Sequence, residues 1–430
     1  MNTEYSKIID LVKREVVPAV GCTEPVVVAL CTALAAETLG SRPEKIYVRL
    51  SANMLKNAMG VGIPDTGMTG LPIATALGAV ACRSADGLAL FGAVDAAAVE
   101  CARRYLEGNP IDISLKEKCS DKLYVEVEAH AGEDVAVVVQ RGSHFSRPRI
   151  ERNGEVVAEG DGAQGEVPAS EHGADEPRLS LRKVYDFAMN APIEDIEFIA
   201  ESERLNMAAA ELSFNGDYGH GLGRLLHDGC KGQVMGDTLH SRIISYTSGA
   251  CDVRMGGARV TVMSNSGSGN QGIAATVPVA VYGRETGATH EQMVRALMMS
   301  HLTVIYIKQS LGSLSALCGC VVAGTGASCG IVHLMGGGYE EMTCAVKNMA
   351  ANITGMICDG AKPSCAMKVA TGASTALLSA MLAMAHRCTT SSEGIIDDDV
   401  DKCIRNLTAI GRDAMNETDA MILNIMTNKC

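Results

Sequence analysis

The chain has 430 residues, 47% of them hydrophobic and only 3% aromatic, with no tryptophan and a net charge of −13. That length allows two or three domains, and a core of aliphatic residues and glycine favours packed helices over a β-sandwich. The acidic balance argues against a nucleic-acid or anionic-membrane partner, because both require clustered basic residues. The N-terminal stretch is amphipathic and lacks an apolar run, so we predict a cytoplasmic protein without a signal peptide.

Periodic patterns in the first 160 residues predict both helices and strands. The chain opens with helices at 4–16 and 25–39, the second with Pro25 in its first turn and Gly40 at its end. Alternating apolar residues then predict four strands, with two helices after the first of them: strands at 45–51, 123–130, 134–140 and 147–157, and helices near 71–83 and 92–106. We interpret residues 43–158 as an inserted α+β domain.

The remainder of the chain is almost wholly helical in pattern. Residues 159–180 are acidic and rich in Gly and Pro, which predicts an exposed linker. From 181 to 430 apolar residues recur at three- and four-residue spacing, with a strand-like interruption at 258–264. This spacing predicts helices near 181–190, 195–213, 236–248, 290–310, 340–355, 366–386, 397–410 and 412–427. The predicted fold class is therefore α+β: a mostly helical domain, begun by residues 1–42, that carries the α+β insertion. The uncharged, glycine-rich segment 309–339 is too interrupted for a membrane span and predicts a buried wall beside a cofactor.

Sixteen cysteines are the anomaly of this composition, because a reducing compartment does not favour disulfides. Five of them lie near glycine or proline, where turns can gather sulfurs: Cys318, Cys320, Cys329, Cys358 and Cys365. The loop between the last two contains Gly360 and Pro363 and can turn both sulfurs toward one metal centre, with a third thiolate from the 318–329 segment. Thiolates select zinc or iron–sulfur clusters, and the lack of a CxxC pair argues against structural zinc. Three cysteines and an open position favour a cluster; the alternative is scattered core cysteines.

Cys22, in the motif GCTEP at 21–25, is a second candidate. It precedes a predicted helix N-terminus, where the helix dipole and free amides favour thiolate over thiol. A thiolate there could act as a base or as a nucleophile. The alternative is a capping turn in which Thr23 is the N-cap and Cys22 only fills space.

The motif SNSGSGNQG at 264–272 contains a Gly-x-Gly-x-x-Gly pattern. The pattern lacks the following strand and acidic residue of a dinucleotide-binding fold. Its backbone amides and the side chains of Asn270 and Gln271 could instead bind a carboxylate. The alternative is a capped turn without a ligand.

Two weaker features complete the candidates. The segment 51–70, which includes Asn57, could cover a substrate, or could consist of surface turns, which is the commoner case. His301 and His333 lie in apolar surroundings that are typical of hydrogen-bonded core histidines.

Together these motifs resemble the L-cysteine desulfidase branch of the family related to the alpha chain of iron–sulfur L-serine dehydratases. GCTEP, KNAMGVGIPDTG, GSGNQG and the cysteine set carry the resemblance along nearly the whole chain. The family's three ligands are spaced forty and then seven residues apart, which corresponds to Cys318, Cys358 and Cys365 and leaves Cys320 and Cys329 outside the set. The resemblance implies a [4Fe–4S] cluster in the helical catalytic domain.

The resemblance also implies a reaction, the β-elimination of L-cysteine to sulfide, pyruvate and ammonia. Cys22 is the residue that the family assigns as catalytic base, and we expect Asn57, Asn270 and Gln271 to contact the amino-acid substrate. Alternatives are dehydration of L-serine at the same cluster, a non-catalytic metal-binding protein, and a helical scaffold with core cysteines. The final residue, Cys430, could fold back onto the open iron as a plug; the alternative is a frayed terminus. A homo-oligomer is compatible with the sequence.

Overall fold

The computed structural model describes residues 3–81, 83–119, 121–142, 146–160, 176–229, 235–312 and 315–428. Helices account for most of these residues and strands for a smaller part, so the predicted, mostly helical α+β class is confirmed. The helices are α1 Thr3–Glu15, α2 Thr23–Leu39, α3 Ala52–Ala58, α4 Leu71–Val80, α5 Ala96–Gly108, α6 Leu181–Asn190, α7 Ile193–Ile196, α8 Ala200–Ser213, α9 Leu222–Arg224, α10 Leu239–Met255, α11 Gly269–Thr286, α12 His290–Leu311, α13 Gly319–Leu334, α14 Tyr339–Ile353, α15 Cys365–Met384, α16 Val400–Ala409 and α17 Asn416–Thr427. Short 3-10 segments cover Ser84–Ala93 and Glu197–Ile199, and π turns cover Leu225–Gly229 and Ile410–Ala414.

The strands form one large sheet and one separate pair. They are β1 Pro18–Val20, β2 Lys45–Leu50, β3 Ile111–Leu115, β4 Tyr124–Ala131, β5 Asp134–Arg141, β6 Arg149–Arg152, β7 Glu155–Ala158 and β8 Thr261–Met263. The large sheet has the order β3-β2-β4-β5-β6-β7, in which β2 and β3 run parallel and the other neighbours antiparallel. β1 and β8 pair antiparallel, so the strand-like segment at 258–264 does contain a strand, and it ties the N-terminal region to the helical part.

Helices cover one face of the large sheet, and the residues of its strands therefore alternate between buried and more exposed positions. Val48 of β2 is fully buried and lies opposite Val127 of β4, which is buried as well. Helix α2 packs against α4, β4 and β5, and its apolar side chains share one core with the sheet. The sequence pattern assigns residues 1–42 to the helical domain; that assignment and the other domain bounds stay predictions.

The segment 147–157, predicted as one strand, is a hairpin made of β6 and β7. Asn153 and Gly154 form its turn with φ values of 51° and 83°, which an Asn-Gly pair adopts readily. Asn153 Oδ1 also accepts a hydrogen bond of 2.8 Å from the Val135 amide of the neighbouring strand. The Asn-Gly pair within the predicted strand is the turn signal that the strand prediction overlooked. Strand β3 also escaped prediction, because it is short and lies at the sheet edge.

In the helical part, α13 is surrounded by α11, α12, α14 and α15. Nearly all of its residues are buried, as predicted for the segment 309–339. Small residues make this possible: a Cβ on Gly326 would lie 2.4 Å from the Ser300 carbonyl oxygen of α12, closer than side-chain atoms pack. The sequence pattern does not predict α11 and α13 as helices, because glycine lowers helix propensity. Burial between neighbouring helices outweighs that preference.

Helix α15 has the length and apolar composition of a membrane span, and within the described ranges no other helix does. Of its most apolar window, 56% is buried inside the protein. Most of the predicted linker, at 161–175, lies outside the described residues, and so does Cys430, the predicted plug.

Candidate active site

The loops that precede α13 and α15 are joined by backbone hydrogen bonds. The Cys318 amide donates to the Met356 carbonyl oxygen over 3.0 Å, and the Cys358 amide donates to the Ala316 carbonyl oxygen over 2.7 Å. The two loops therefore pair as a single rung of antiparallel structure. This pairing brings two cysteines that are forty residues apart side by side, and their thiols are hydrogen-bond partners.

A tight turn brings Cys365 to the same place. It is the first residue of α15, and its Sγ lies 3.7 Å from the Gly360 carbonyl oxygen. Gly360 has a φ of +90°, and a Cβ there would lie 2.2 Å from the Lys56 carbonyl oxygen, so the turn requires glycine. Because Cys318 is the N-cap of α13, both it and Cys365 lie at positive helix ends, which favour anionic groups.

The pKa values of the grouped thiols are raised by neighbouring thiols and by burial. A hydrogen bond with Cys320 raises the pKa of Cys318, and a hydrogen bond with Cys318 raises the pKa of Cys358. Burial raises the pKa of Cys365. A metal ion that ligates these sulfurs would replace their protons and so hold them as thiolates.

The described cysteines do not form a preformed site for a single metal ion. No three of the His, Cys, Asp and Glu side chains that the structure describes meet as ligands of one metal ion. An iron–sulfur cluster distributes its thiolates over separate iron atoms, so its ligands need not converge on one point. Soft sulfur donors at two helix ends are compatible with thiolate ligation, and no zinc site of four convergent ligands occurs among the described residues.

Two further cysteines have different surroundings. Cys251 of α10 is fully buried, and burial raises its pKa. Cys365 and Cys318 raise the pKa further, so both thiols lie close enough to Cys251 to interact with it electrostatically. Sequence reasoning missed it because it lies within an ordinary helical pattern. Cys329 instead lies in the helical core, where burial raises its pKa to about 12 and Thr303 is a hydrogen-bond partner.

Cys22 is the N-cap residue of α2 and is buried beside a carboxylate. Its Sγ lies 2.8 Å from Glu24 Oε2, and Glu24 Oε1 accepts a hydrogen bond of 3.3 Å from Asn57 Nδ2. Burial, reinforced by the charge of Glu24, raises the pKa of Cys22. The expectation of a thiol acidified by the helix N-terminus is therefore wrong, since desolvation outweighs the dipole. The capping alternative differs as well, because Thr23 is the first helical residue and not the N-cap.

The segment that contains Asn57 is not a set of surface turns. Its first part forms helix α3, in which Lys56 and Asn57 are buried. Lys56 Nζ donates to the Cys358 carbonyl oxygen over 3.4 Å and forms an ion pair with Asp419 of α17. The Asn57 Cα lies 3.2 Å from the point that a Cβ of Gly360 would occupy. Asn57 thus contacts both the carboxylate beside Cys22 and the cysteine-bearing loop.

The predicted carboxylate motif forms the N-terminus of α11. Asn270 Oδ1 accepts a hydrogen bond of 3.0 Å from Arg254 Nη1, and Arg254 Nη2 donates to the Gly21 carbonyl oxygen over 2.9 Å. Gln271 packs its Oε1 against Gly319, the residue after Cys318. Arg254 and Glu24 are the site residues that sequence reasoning missed. The preceding strand β8 pairs antiparallel with β1, which agrees with the rejection of a dinucleotide fold.

The two core histidines differ. His301 hydrogen-bonds Asn265 Nδ2 over 3.0 Å and Thr276 Oγ1 over 2.9 Å, and burial lowers its pKa to about 3, so it is a neutral structural group as predicted. The pKa of His333 is lowered by burial too, but its buried Nε2 has no partner among the described residues.

Comparison with known proteins identifies relatives along the whole chain. Residues 181–424, which include all three predicted ligands, match the family described as serine dehydratase alpha chain. A UPF0597 protein of Bacteroides fragilis is 58% identical over 428 residues, covering 100% of this chain and 99% of that protein. Similar proteins of the same name occur in Bacteroides thetaiotaomicron, at 58% identity, and in Oleidesulfovibrio alaskensis, at 43%, each covering 100% of this chain and 99% of the relative.

Proposed function

The chain belongs to the serine dehydratase alpha chain family, and from this membership and its site geometry we propose a [4Fe–4S]-dependent L-cysteine desulfidase. The reaction is β-elimination of L-cysteine to sulfide, pyruvate and ammonia, with the cluster held by Cys318, Cys358 and Cys365. The observation that carries the proposal is the hydrogen-bonded pairing of the loops before α13 and α15, which brings the first two of these cysteines together.

Two lysine side chains, each paired with an aspartate, lie beside the cysteine-bearing loop. Lys56 Nζ donates to the Cys358 carbonyl oxygen, and Lys368 Nζ donates to the Ile357 carbonyl oxygen over 3.1 Å. Burial acts to lower the pKa of Lys368, but its hydrogen bond with Asp359 and the charges of Asp359, Cys318 and Cys365 together outweigh burial and raise the pKa, so the side chain remains a cation. When bound, the cluster would supply a Lewis-acidic iron that withdraws charge from the departing sulfide.

Cys22 is the group that we propose takes the Cα proton. Its thiol proton moves to Glu24 Oε2, 2.8 Å away, and the positive charge of Arg254 favours the resulting thiolate. The electron pair of the Cα–H bond then forms the Cα–Cβ double bond while the Cβ–S pair leaves with sulfide. The aminoacrylate product hydrolyses to pyruvate and ammonia without further help from the protein.

The test of this proposal is anaerobic purification followed by analysis of iron, labile sulfide and sulfide release from L-cysteine. Cys318→Ser, Cys358→Ser and Cys365→Ser should each lose most of the iron, because a hydroxyl is a poor cluster ligand. Cys329→Ser is the matched control, since its sulfur lies in the core of the same helix region. Iron loss only in the control, or iron-free wild-type protein, would refute the proposed ligand set.

A second candidate function is dehydration of L-serine at the same cluster. It is favoured by the family match across 181–424, whose description names serine dehydratase. Pyruvate formation from L-serine and from L-cysteine, measured on one anaerobic preparation, ranks the two substrates by kcat/KM. Cluster-bearing protein that releases pyruvate from neither amino acid would instead support a non-catalytic metal-binding protein.

A further inference from the structure

Arg254 is a buried cation without an acidic partner in the part of the chain that the structure describes. It is only 5% exposed, and its two terminal nitrogens donate to neutral oxygens, of Asn270 and of Gly21. Its Nε is buried and has no hydrogen-bond partner among the described residues. A buried guanidinium without a direct ion pair is costly, which makes this position a candidate for binding an anion.

The free Nε lies beside the start of α11. A Cβ on Gly269, the first residue of this helix, would lie 2.4 Å from Arg254 Nε, so glycine is needed for the guanidinium to approach. Ser268 caps the helix by accepting from the Gln271 amide over 3.3 Å. The amides of Gly269 and Asn270 have no acceptors within the helix, because the first turn lacks preceding carbonyls. An unpartnered guanidinium nitrogen and a positive helix end therefore meet at one point.

We infer that Arg254 Nε and the N-terminus of α11 bind the α-carboxylate of the amino-acid substrate. The inference rests on the proposed function for the identity of the substrate. The side chain bonds Gly21, which precedes Cys22, and its helix carries the buried Cys251 one turn earlier, beside the cysteine group. A carboxylate held there directs the Cα–H toward Cys22 and the side chain toward the cluster cysteines. Asn270 then acts by orienting Arg254, to which its Oδ1 is bound.

Loss of an arginine that binds a carboxylate should affect ligand binding differently from loss of an arginine that is purely structural. An arginine that only ties Gly21 to Asn270 should affect folding and all ligands alike. An anchor should distinguish a carboxylate from an amide of the same shape. L-Alanine and L-alaninamide provide this comparison, and neither carries a leaving group, so binding is measured without turnover.

The experiment is calorimetric titration of anaerobically prepared protein with these two ligands. Wild-type protein should bind L-alanine more tightly than L-alaninamide. Arg254→Gln should weaken L-alanine about ten- to a hundredfold, the usual loss for a charge-assisted hydrogen bond, and leave L-alaninamide unchanged. Arg254→Lys should keep part of the preference. Arg259→Gln is the matched control, because Arg259 is surface-lying and paired with Asp65 over 2.7 Å.

Several outcomes overturn the anchor: equal loss for both ligands, no loss for either, or wild-type protein that does not prefer L-alanine. The last comparison needs no variant, so it can refute the anchor even if Arg254→Gln does not fold. Selective binding of L-alanine by protein that eliminates nothing from L-cysteine would uphold the anchor and remove only the proposed reaction.

Discussion

The sulfur of Cys22 lies 2.8 Å from Glu24 Oε2, and both side chains are buried at the first turn of α2. Burial and the neighbouring carboxylate raise the pKa of Cys22, so the thiol is protonated at neutral pH. A base in this position needs an acceptor for its own proton, and Glu24 is the group within reach. The pair is therefore interpreted as a two-residue proton relay, in which Asn57 orients the carboxylate through its second oxygen.

Glu24→Gln should lower kcat for L-cysteine by about a hundredfold or more, with a smaller change in KM. The amide is isosteric and can still bond Asn57, but it cannot accept the thiol proton. Cys22→Ala should abolish turnover, and both variants should retain the iron and labile sulfide of wild-type protein. The checks are steady-state kinetics and iron analysis on the same samples; a Glu24→Gln enzyme with wild-type kcat would remove Glu24 from the relay.

Gly360→Ala should disrupt the cysteine-bearing loop. A Cβ at this position would lie 2.2 Å from the Lys56 carbonyl oxygen, and the φ of +90° is unfavourable for any residue with a side chain. We expect iron content to fall to a small fraction of wild type. Gly394→Ala is the matched control, because Gly394 also has a positive φ, of 63°, but a Cβ there meets nothing within 4 Å.

The control variant should lose about 1 kcal/mol of stability from backbone strain and keep its iron. If Gly394→Ala and Gly360→Ala lose iron equally, then general destabilisation and not the loop geometry is responsible.

Local patterns predict much of the fold, because the information lies within a few residues. The end of α2 at Gly40, where φ is 72°, follows from the preference of glycine for this conformation. The alternation of β2, β4 and β5 follows from a sheet with one covered face. What local patterns missed depends on packing: α11 and α13 are helices despite their glycines, because neighbouring helices bury them on several sides.

The site divides in the same way. The cysteine spacing and the motifs allowed Cys318, Cys358 and Cys365 to be proposed together, and the structure brings the loops that carry them together. Arg254 could not be found, because its partner Gly21 lies 233 residues away in sequence and nothing in its local pattern distinguishes it from a surface arginine. The predicted direction of the Cys22 pKa shift is wrong for a related reason. The sequence shows that Cys22 lies at a helix end, but it does not show how deeply the thiol is buried.

Alkaline pH should destabilise the protein in part through Cys31. Burial raises the pKa of this fully buried thiol from 9.0 to about 12. The folded state therefore keeps a proton that the unfolded state loses above about pH 9, so the contribution is complete below pH 9 and is lost as pH rises toward 12. Within that window each pH unit costs about 1.4 kcal/mol for the one proton.

Cys31→Ala should remove this slope. Denaturant unfolding at pH 7.5, 9 and 10, values that run from below the window into it, should show the variant approaching wild-type stability as pH rises. Cys101→Ala is the control, because this cysteine is partly exposed whereas Cys31 is fully buried. Parallel curves for wild type and Cys31→Ala would contradict the assignment.

Asp419→Asn should weaken the packing of α17 against helix α3. Lys56 is 2% exposed and pairs with Asp419, whose second oxygen accepts a hydrogen bond of 2.9 Å from Asn53 Nδ2. Removal of the carboxylate leaves a buried ammonium without a counter-charge, which typically costs about 3–5 kcal/mol. Arg104→Gln, which breaks the exposed pair with Glu100, should cost less than about 0.5 kcal/mol. Urea unfolding measures both losses of stability. Lys56→Met combined with Asp419→Asn should recover much of the loss, because the unpaired charge is then absent. If Asp419→Asn and the double variant are equally stable, the unpaired ammonium is not the cause of the loss.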